Sequence, residues 1–226
     1  MSANFFTKKI TMRFAFIFSL LFISFCVGNA YLITQAKKNN LHTSFYFLVS
    51  KDVRIEAGTE LMKWEGGAGY LIENDGKQYV AYTVFTDKAD GERVQRRLTL
   101  MGKETLLLPT KTQVLYFKGK KKRKAGFYTS ALELLRSYII LLEECVTRLE
   151  NGMTQEACKR ILKVLARQFH YAKNCYGEYA EFSKLCQKSG EELILLCQNT
   201  VYLKDLRYIL CWQAEKYVDL CSAFSL

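Results

Sequence analysis

The stretch Gly66–Leu98, GGAGYLIENDGKQYVAYTVFTDKADGERVQRRL, decides the fold that we predict for this chain. Its GGAG segment ends the helix predicted before it and allows the chain to reverse direction. Asn74-Asp75-Gly76 then predicts a hairpin, because Asp-Gly accepts the positive φ angles of a tight two-residue turn. The flanking segments Tyr70–Glu73 and Gln78–Phe85 predict the two strands of that hairpin. Thr86 is placed to cap the helix that completes the stretch.

Further elements lie on both sides of this stretch. Phe45–Val49 (FYFLV) is apolar and aromatic, which predicts a buried strand. The residues between it and GGAG predict a helix by the spacing of their apolar side chains. The inward positions of that helix are Val53, Ala57, Leu61 and Trp64. A fourth strand comes from Leu106–Leu108 or from Gln113–Phe117. The order is βαββαβ, a split arrangement that places two helices on one face of an antiparallel sheet and leaves the other face free.

This layout resembles the SPOR domain, a peptidoglycan-binding module of bacterial division and sporulation proteins. The resemblance covers residues 43–117. It rests on the element order, on the Gly-rich reversal before Tyr70, and on GKQYVAYTVFTDKADGERVQRRL, which resembles the family's strand, Thr or Ser, and acidic, Ala-rich helix. The resemblance implies a non-catalytic envelope protein that binds peptidoglycan glycan strands during cell division or sporulation.

If the free face of the sheet binds a glycan, aromatic side chains on that face would stack on the sugar rings. Side chains alternate between the two faces of a strand, so the sequence offers two sets of candidates. The candidates are Tyr46 and Tyr79, with Gln78 or Tyr82 if the face is reversed. The alternative is that these aromatic side chains fill the core between the sheet and its helices.

An apolar segment precedes the module. Phe14–Ile33 carries no charge and is long enough to cross a hydrocarbon core of ~30 Å as a transmembrane helix. Basic residues before it favour a cytoplasmic stub, residues 1–13, and extracytoplasmic domains after it. We therefore expect a single-pass protein of the cell membrane. The alternative is a signal peptide that is cleaved after Ala30.

The net charge of +11 lies in residues 1–125, whereas residues 126–226 carry as many acidic as basic side chains. The charge is densest in the linker 118–125. Its basic residues are Lys118, Lys120, Lys121, Lys122, Arg123 and Lys124. Such a run contacts an anionic wall polymer or lipid headgroups, or is simply a solvated linker. Nucleic acid is a weaker candidate, because binding it requires a cytoplasmic location.

Residues 126–226 predict an antiparallel bundle of three helices. The second helix is expected from Thr154 to about Lys188, and the third begins at Ser189-x-x-Glu192, a capping-box pattern. Bundles of this kind bind other proteins or act as spacers. The second hypothesis is therefore a membrane-anchored protein that acts through contacts of its helical bundle.

No catalytic constellation is recognisable in the sequence. There are two histidines, and no P-loop, H-E-x-x-H or G-x-S-x-G pattern occurs. All cysteines except Cys26 lie in the bundle and lack C-x-x-C spacing, which predicts reduced core residues; a disulfide framework is the alternative. The sequence thus predicts a protein that is not an enzyme and has neither a cofactor nor a metal site.

Overall fold

The computed structural model describes residues 44–51, 55–112 and 124–225. The first part contains β1 (Ser44–Ser50), α1 (Ile55–Trp64), β2 (Tyr70–Asn74), β3 (Lys77–Phe85), α2 (Lys88–Leu100) and β4 (Thr105–Lys111). The second part contains α3 (Ala125–Glu150), α4 (Gln155–Cys175), α5 (Ala180–Gln198) and α6 (Leu203–Ser225). The class is α+β, as predicted, and the βαββαβ order is confirmed.

Two predictions fall wholly or mostly outside the described residues. These are the N-terminal stub with its transmembrane segment, 1–33, and most of the basic linker, 118–123. Within residues 44–51, 55–112 and 124–225, no helix combines the length and apolar character needed to cross a membrane.

The four strands form one sheet in the order β2-β3-β1-β4, with every neighbouring pair antiparallel. The predicted hairpin joins β2 to β3. Asp75 has φ 51° and Gly76 has φ 71°, as a two-residue turn of this kind requires. The first alternative for the fourth strand is correct, since β4 includes Leu106–Leu108 and pairs with β1 along its length.

Helices α1 and α2 cover one face of the sheet, which we call the helix face. Its core cluster is Leu48, Met62, Val80, Tyr82, Phe85 and Leu98. Two of the four predicted inward positions of α1 are wrong, because Leu61 and Trp64 are exposed; Val53 and the side chain of Ala57 lie outside the described residues. Gly58 and Met62, one helical turn apart, are buried instead, so the buried stripe of α1 is rotated away from Trp64.

The opposite face of the sheet, which we call the bundle face, is covered by α3 and α6. The expectation that this face is free is therefore wrong. Phe45, Phe47 and Val49 of β1 have no exposed surface and belong to a core that continues through the helices. The Phe45 ring packs edge-on against Tyr217 of α6, with ring centroids 5.5 Å apart. Residues assigned by sequence to two domains thus form one compact unit.

The predicted bundle of three helices is also wrong, because α3–α6 are four helices. The expected second helix ends early at Cys175, and α5 begins at Ala180. Ser189, the expected cap of a third helix, lies buried within α5. It sits beside Gly190, where an added Cβ would come 3.3 Å from the Ala166 carbonyl oxygen of α4. The Ser-Gly pair therefore serves close packing of α4 and α5.

A second break separates α5 from α6 around Val201. The Gln155 side chain replaces the missing helical hydrogen bonds there. Its Oε1 accepts from the Val201 amide at 2.9 Å, and its Nε2 donates to the Val201 carbonyl at 3.0 Å. This side chain lets the buried backbone leave the helix without unpaired polar groups.

Candidate functional site

The four predicted glycan-binding residues do not form one open surface. Tyr46 and Tyr82 pack on the helix face, where Tyr46 is half-buried and Tyr82 buried. Tyr79 packs against the core of the opposite, bundle face. Gln78 is exposed beside the hairpin. The structure therefore separates these residues and does not assemble an aromatic platform from them.

Lys124 is the one residue of the predicted basic run that lies in the described part of the chain. Its ammonium group forms an ion pair with Glu178, which follows α4. The hydrogen bond and the charge of Glu178 raise the pKa of Lys124. Lys124 thus contacts the helical bundle at the start of α3.

A buried arginine joins the sheet to the bundle. Arg207 of α6 is almost fully buried, and its Nη1 donates to the Gly66 carbonyl at 2.5 Å and to the Tyr82 hydroxyl at 3.0 Å. Its guanidinium lies 4.5 Å from the centre of the Tyr82 ring. Its Nη2 is 3.1 Å from Glu150 Oε2, and Glu150 also pairs with Arg97 of α2. We call this set the Arg207 network.

The Arg207 network borders a cleft of ≈ 280 Å³ between β3, α2, α3 and α6. The cleft exists because β2 pairs with β3 only as far as Ala81, so the end of β3 lacks a strand on that side. Glu143 closes the far end of the cleft: its Oε2 accepts from the Thr86 amide at 3.1 Å and from the Thr86 hydroxyl at 2.6 Å. Burial nevertheless raises the Glu143 pKa.

Ion pairs join the arginine and acidic side chains of the cleft, although the buried Arg207 Nε has no hydrogen-bond partner within the described residues. Arg93 pairs with Asp90 at 2.6 Å, and Arg97 and Arg207 share Glu150. A second sheet-to-bundle contact lies nearby in the fold, where the Tyr70 hydroxyl donates to Glu215 at 2.5 Å and burial raises the Tyr70 pKa. These contacts form a polar interface between the sheet region and the helical bundle.

None of the cysteines of the described helices forms a disulfide, and all except Cys175 are buried. Cys145 and Cys158 lie closest, with sulfur atoms 3.6 Å apart across the α3–α4 turn. Their mutual hydrogen bond and burial raise the Cys145 pKa, and burial raises the pKa of Cys186 to about 12. The Cys145 and Cys186 thiols are therefore protonated near neutral pH and are poor nucleophiles, whereas the hydrogen bond with Cys145 lowers the pKa of Cys158. In the described chain, no three metal-ligating side chains converge.

Exposed apolar side chains occur in two regions that the sequence did not single out. The tip patch lies where α1 and α2 end. Its members are Leu61, Trp64, Leu100 and Met101. The outer hairpin patch lies on α4 and α5. Its members are Val164, Tyr171, Ile194 and Leu195. Helical spacing identifies the apolar face of a helix but does not show which apolar residues a distant element covers. For that reason Trp64 was predicted to lie in the core.

Comparisons of the chain with protein-family models, curated proteins and solved structures found no match.

Proposed function

We propose that this chain is a non-catalytic, membrane-anchored envelope protein that binds a protein partner through its helical bundle. One observation carries the proposal: α3 and α6 bury the sheet face, while exposed apolar residues remain on the outer helices. Val164 is 53% exposed, and Leu195 is 55% exposed. Exposed apolar clusters of this kind are typical of protein-binding surfaces.

In the outer hairpin patch, Val164 of α4 lies near the height of Ile194 and Leu195 of α5, and Tyr171 lies about two helical turns further along α4. Val164 and Tyr171 are seven residues apart on α4, so they share one face. Cys197 of α5 lies beside the Lys159 carbonyl of α4, and Gly190 of α5 lies beside Ala166. Ile194 and Leu195 lie between these two points of contact, which brings them near the level of Val164.

Site-specific photo-crosslinking in cells tests this proposal. A photoreactive residue at Val164 or Leu195 should give a discrete adduct with one envelope protein. The matched control is Leu71, an apolar residue of β2 with 41% exposure, which should give none. Absence of an adduct at both patch positions, or the same adduct at Leu71, would contradict the proposal. Deleting residues 126–226 is a poorer test, because it uncovers Phe45 and Phe47.

The second candidate function is peptidoglycan binding of the SPOR type. The strand order β2-β3-β1-β4, with α1 and α2 on one face, favours it. A glycan would have to bind outside the bundle face, at exposed positions such as Gln78. The full chain, incubated with isolated sacculi, would then sediment with them. Sedimentation no greater than with lysozyme-digested sacculi would exclude this function.

The proposed location follows from the anchor. Segment 14–33 would span the cell membrane once, with residues 1–13 in the cytoplasm and the sheet and helices outside. Residues 118–123 would contact anionic lipid headgroups or wall polymer, whereas Lys124 pairs with Glu178. In the sheet, Ser44 pairs with Lys111, so β1 begins and β4 ends at the same end of the sheet.

A further inference from the structure

Two buried thiols meet at the turn between α3 and α4. Cys145 lies near the end of α3, and Cys158 lies in the first turn of α4. Between them, Gly152 has φ 92°, and the Met153 amide donates to the Arg148 carbonyl at 2.9 Å. This pattern is a Schellman cap, which ends α3 and lets the chain turn back. A local feature of the chain therefore brings the two cysteines together.

The sulfur atoms of this pair are already in contact. They lie 3.6 Å apart, and they must approach by about 1.5 Å to reach the bond length of a disulfide. Each sulfur is placed by one rotatable bond of its side chain, so small rotations about these bonds shorten the distance. Both side chains are at most 1% exposed, and the surrounding core holds them in place. Folding thus fixes the two sulfurs in a position that an unfolded chain seldom adopts.

A third thiol lies at the same end of the bundle but has a different partner. The Cys197 thiol of α5 donates to the Lys159 carbonyl at 3.6 Å. It therefore engages the backbone next to Cys158. The thiol of Cys158 instead contacts that of Cys145. The contacts thus single out Cys145 and Cys158 as the pair that is placed for a covalent bond.

We propose that Cys145 and Cys158 form a reversible disulfide bond that ties the end of α3 to the start of α4. The oxidant is another disulfide, either a small one such as glutathione disulfide or that of a thiol oxidoreductase. The Cys158 thiolate attacks one sulfur of the oxidant and releases the other as a thiol. The Cys145 thiolate then displaces the attached sulfur from Cys158. The oxidant takes up two electrons and both cysteine protons and leaves as two thiols.

The order of the two attacks follows from the environment of the two thiols. The hydrogen bond with Cys145 lowers the pKa of Cys158, whereas the same contact raises the pKa of Cys145. Cys158 is buried, but the preceding residues Thr154, Gln155 and Glu156 are exposed. The ends of helices open at a lower free energy than their centres, so opening of this first turn gives an oxidant access to Cys158. The inference depends neither on the outer hairpin patch nor on the proposed location.

Peptide mapping of the purified full chain in detergent micelles tests the bridge. The chain is equilibrated with glutathione disulfide, the remaining thiols are alkylated, and tryptic peptides are weighed without reduction. Peptides 137–148 and 149–159 contain Cys145 and Cys158, and they should appear joined, two hydrogen atoms lighter than their sum. Cys186→Ser is the matched control, because it removes another fully buried thiol and should leave the joined species unchanged. If both peptides are recovered alkylated or bound to glutathione, or if Cys158 is joined to Cys197, the proposal fails.

The contribution of the fold is measured by repeating the equilibrium in urea. Because folding holds the sulfurs together, the equilibrium constant for forming the bridge should be about 100-fold larger in the folded chain than in the unfolded chain. Equal constants would overturn the proposal, and this comparison needs no variant. Reductant should also lower the urea midpoint of the oxidised wild type and of Cys186→Ser. It should not change the midpoint of Cys145→Ala, and the same shift in that variant would assign the effect to other thiols and contradict the bridge.

Discussion

The two faces of the sheet are buried by different kinds of partner. The helix face is covered from within the module, by α1 and α2, and Tyr46 and Leu107 remain half-buried there. The bundle face is covered by helices much later in the chain, and Phe45, Phe47 and Val49 are fully buried there. The more completely buried face is therefore the one that depends on distant sequence. The helices α3 and α6 are part of the fold of the sheet, not a separate module attached to it.

The largest effect is expected from truncation on the bundle face. Phe45→Ala should lower the free energy of unfolding by about 4 kcal/mol, because it removes a fully buried ring and leaves a cavity against Tyr217. Urea unfolding of the full chain in micelles measures the change. Leu71→Ala, at an exposed position of the same sheet, should change the value by less than about 0.5 kcal/mol. A similarly small effect of Phe45→Ala would mean that the bundle does not cover this face.

A smaller effect is expected at the polar contact between the two regions. Arg207→Ala should cost about 3 kcal/mol, because the buried Tyr82 hydroxyl and Gly66 carbonyl lose their donor and Glu150 loses one of its two partners. Arg93→Ala is the control, since Arg93 lines the same cleft but is exposed. The same unfolding measurement compares them. Equal effects of the two substitutions would show that the Arg207 network does not join the sheet to the bundle.

The smallest effect depends on pH. Burial raises the Glu143 pKa above its ordinary value of 4.5, so folding favours the protonated carboxyl. The contribution of this carboxyl to the stability of the fold is therefore lost as the pH rises from about 4.5. Glu143→Gln keeps an acceptor for Thr86 without the charge. The variant should match the wild type at pH 3 and be more stable at pH 7. A difference that does not change between these pH values would contradict the assigned burial of Glu143.

Local parts of the fold were predictable because their causes are local. The hairpin follows from Asp75-Gly76, whose positive φ angles few other residue pairs adopt without strain. The order of the six elements of the sheet region follows from apolar periodicity and from the glycines that end α1. The class α+β follows from these elements together with the long helical stretches after residue 125.

The covering of the bundle face was not predicted, although β1 contains a signal for it. Phe45–Val49 has no polar residue at either alternating position, which is typical of a strand buried on both faces. The Arg207 network has no comparable signal. Arg207 and Glu150 are far apart in sequence, and each resembles an ordinary charged residue on a helix. Only the packing of α3 and α6 against the sheet brings them together.

The prediction of where the helices of the bundle begin and end was wrong for a related reason. Ser189-x-x-Glu192 matches a helix start, but a capping pattern does not act as one when the preceding residues are already helical. The prediction that Trp64 enters the core was wrong because α1 is short and has apolar residues on several sides. Tertiary packing then decides which of these sides faces the sheet. No local rule distinguishes a tryptophan that enters the core from one left at the surface.

The central claim is that the sheet and the four-helix bundle are one cooperative unit, and native-state hydrogen exchange tests it most directly. Amides of β1 and β3 can be compared with amides of α6 in the full chain in micelles. The account predicts that the slowest amides in both regions exchange with the same free energy of opening, that of global unfolding. It also predicts that Phe45→Ala lowers both values equally. Opening of α6 while β1 and β3 stay protected, or the reverse, would contradict the account.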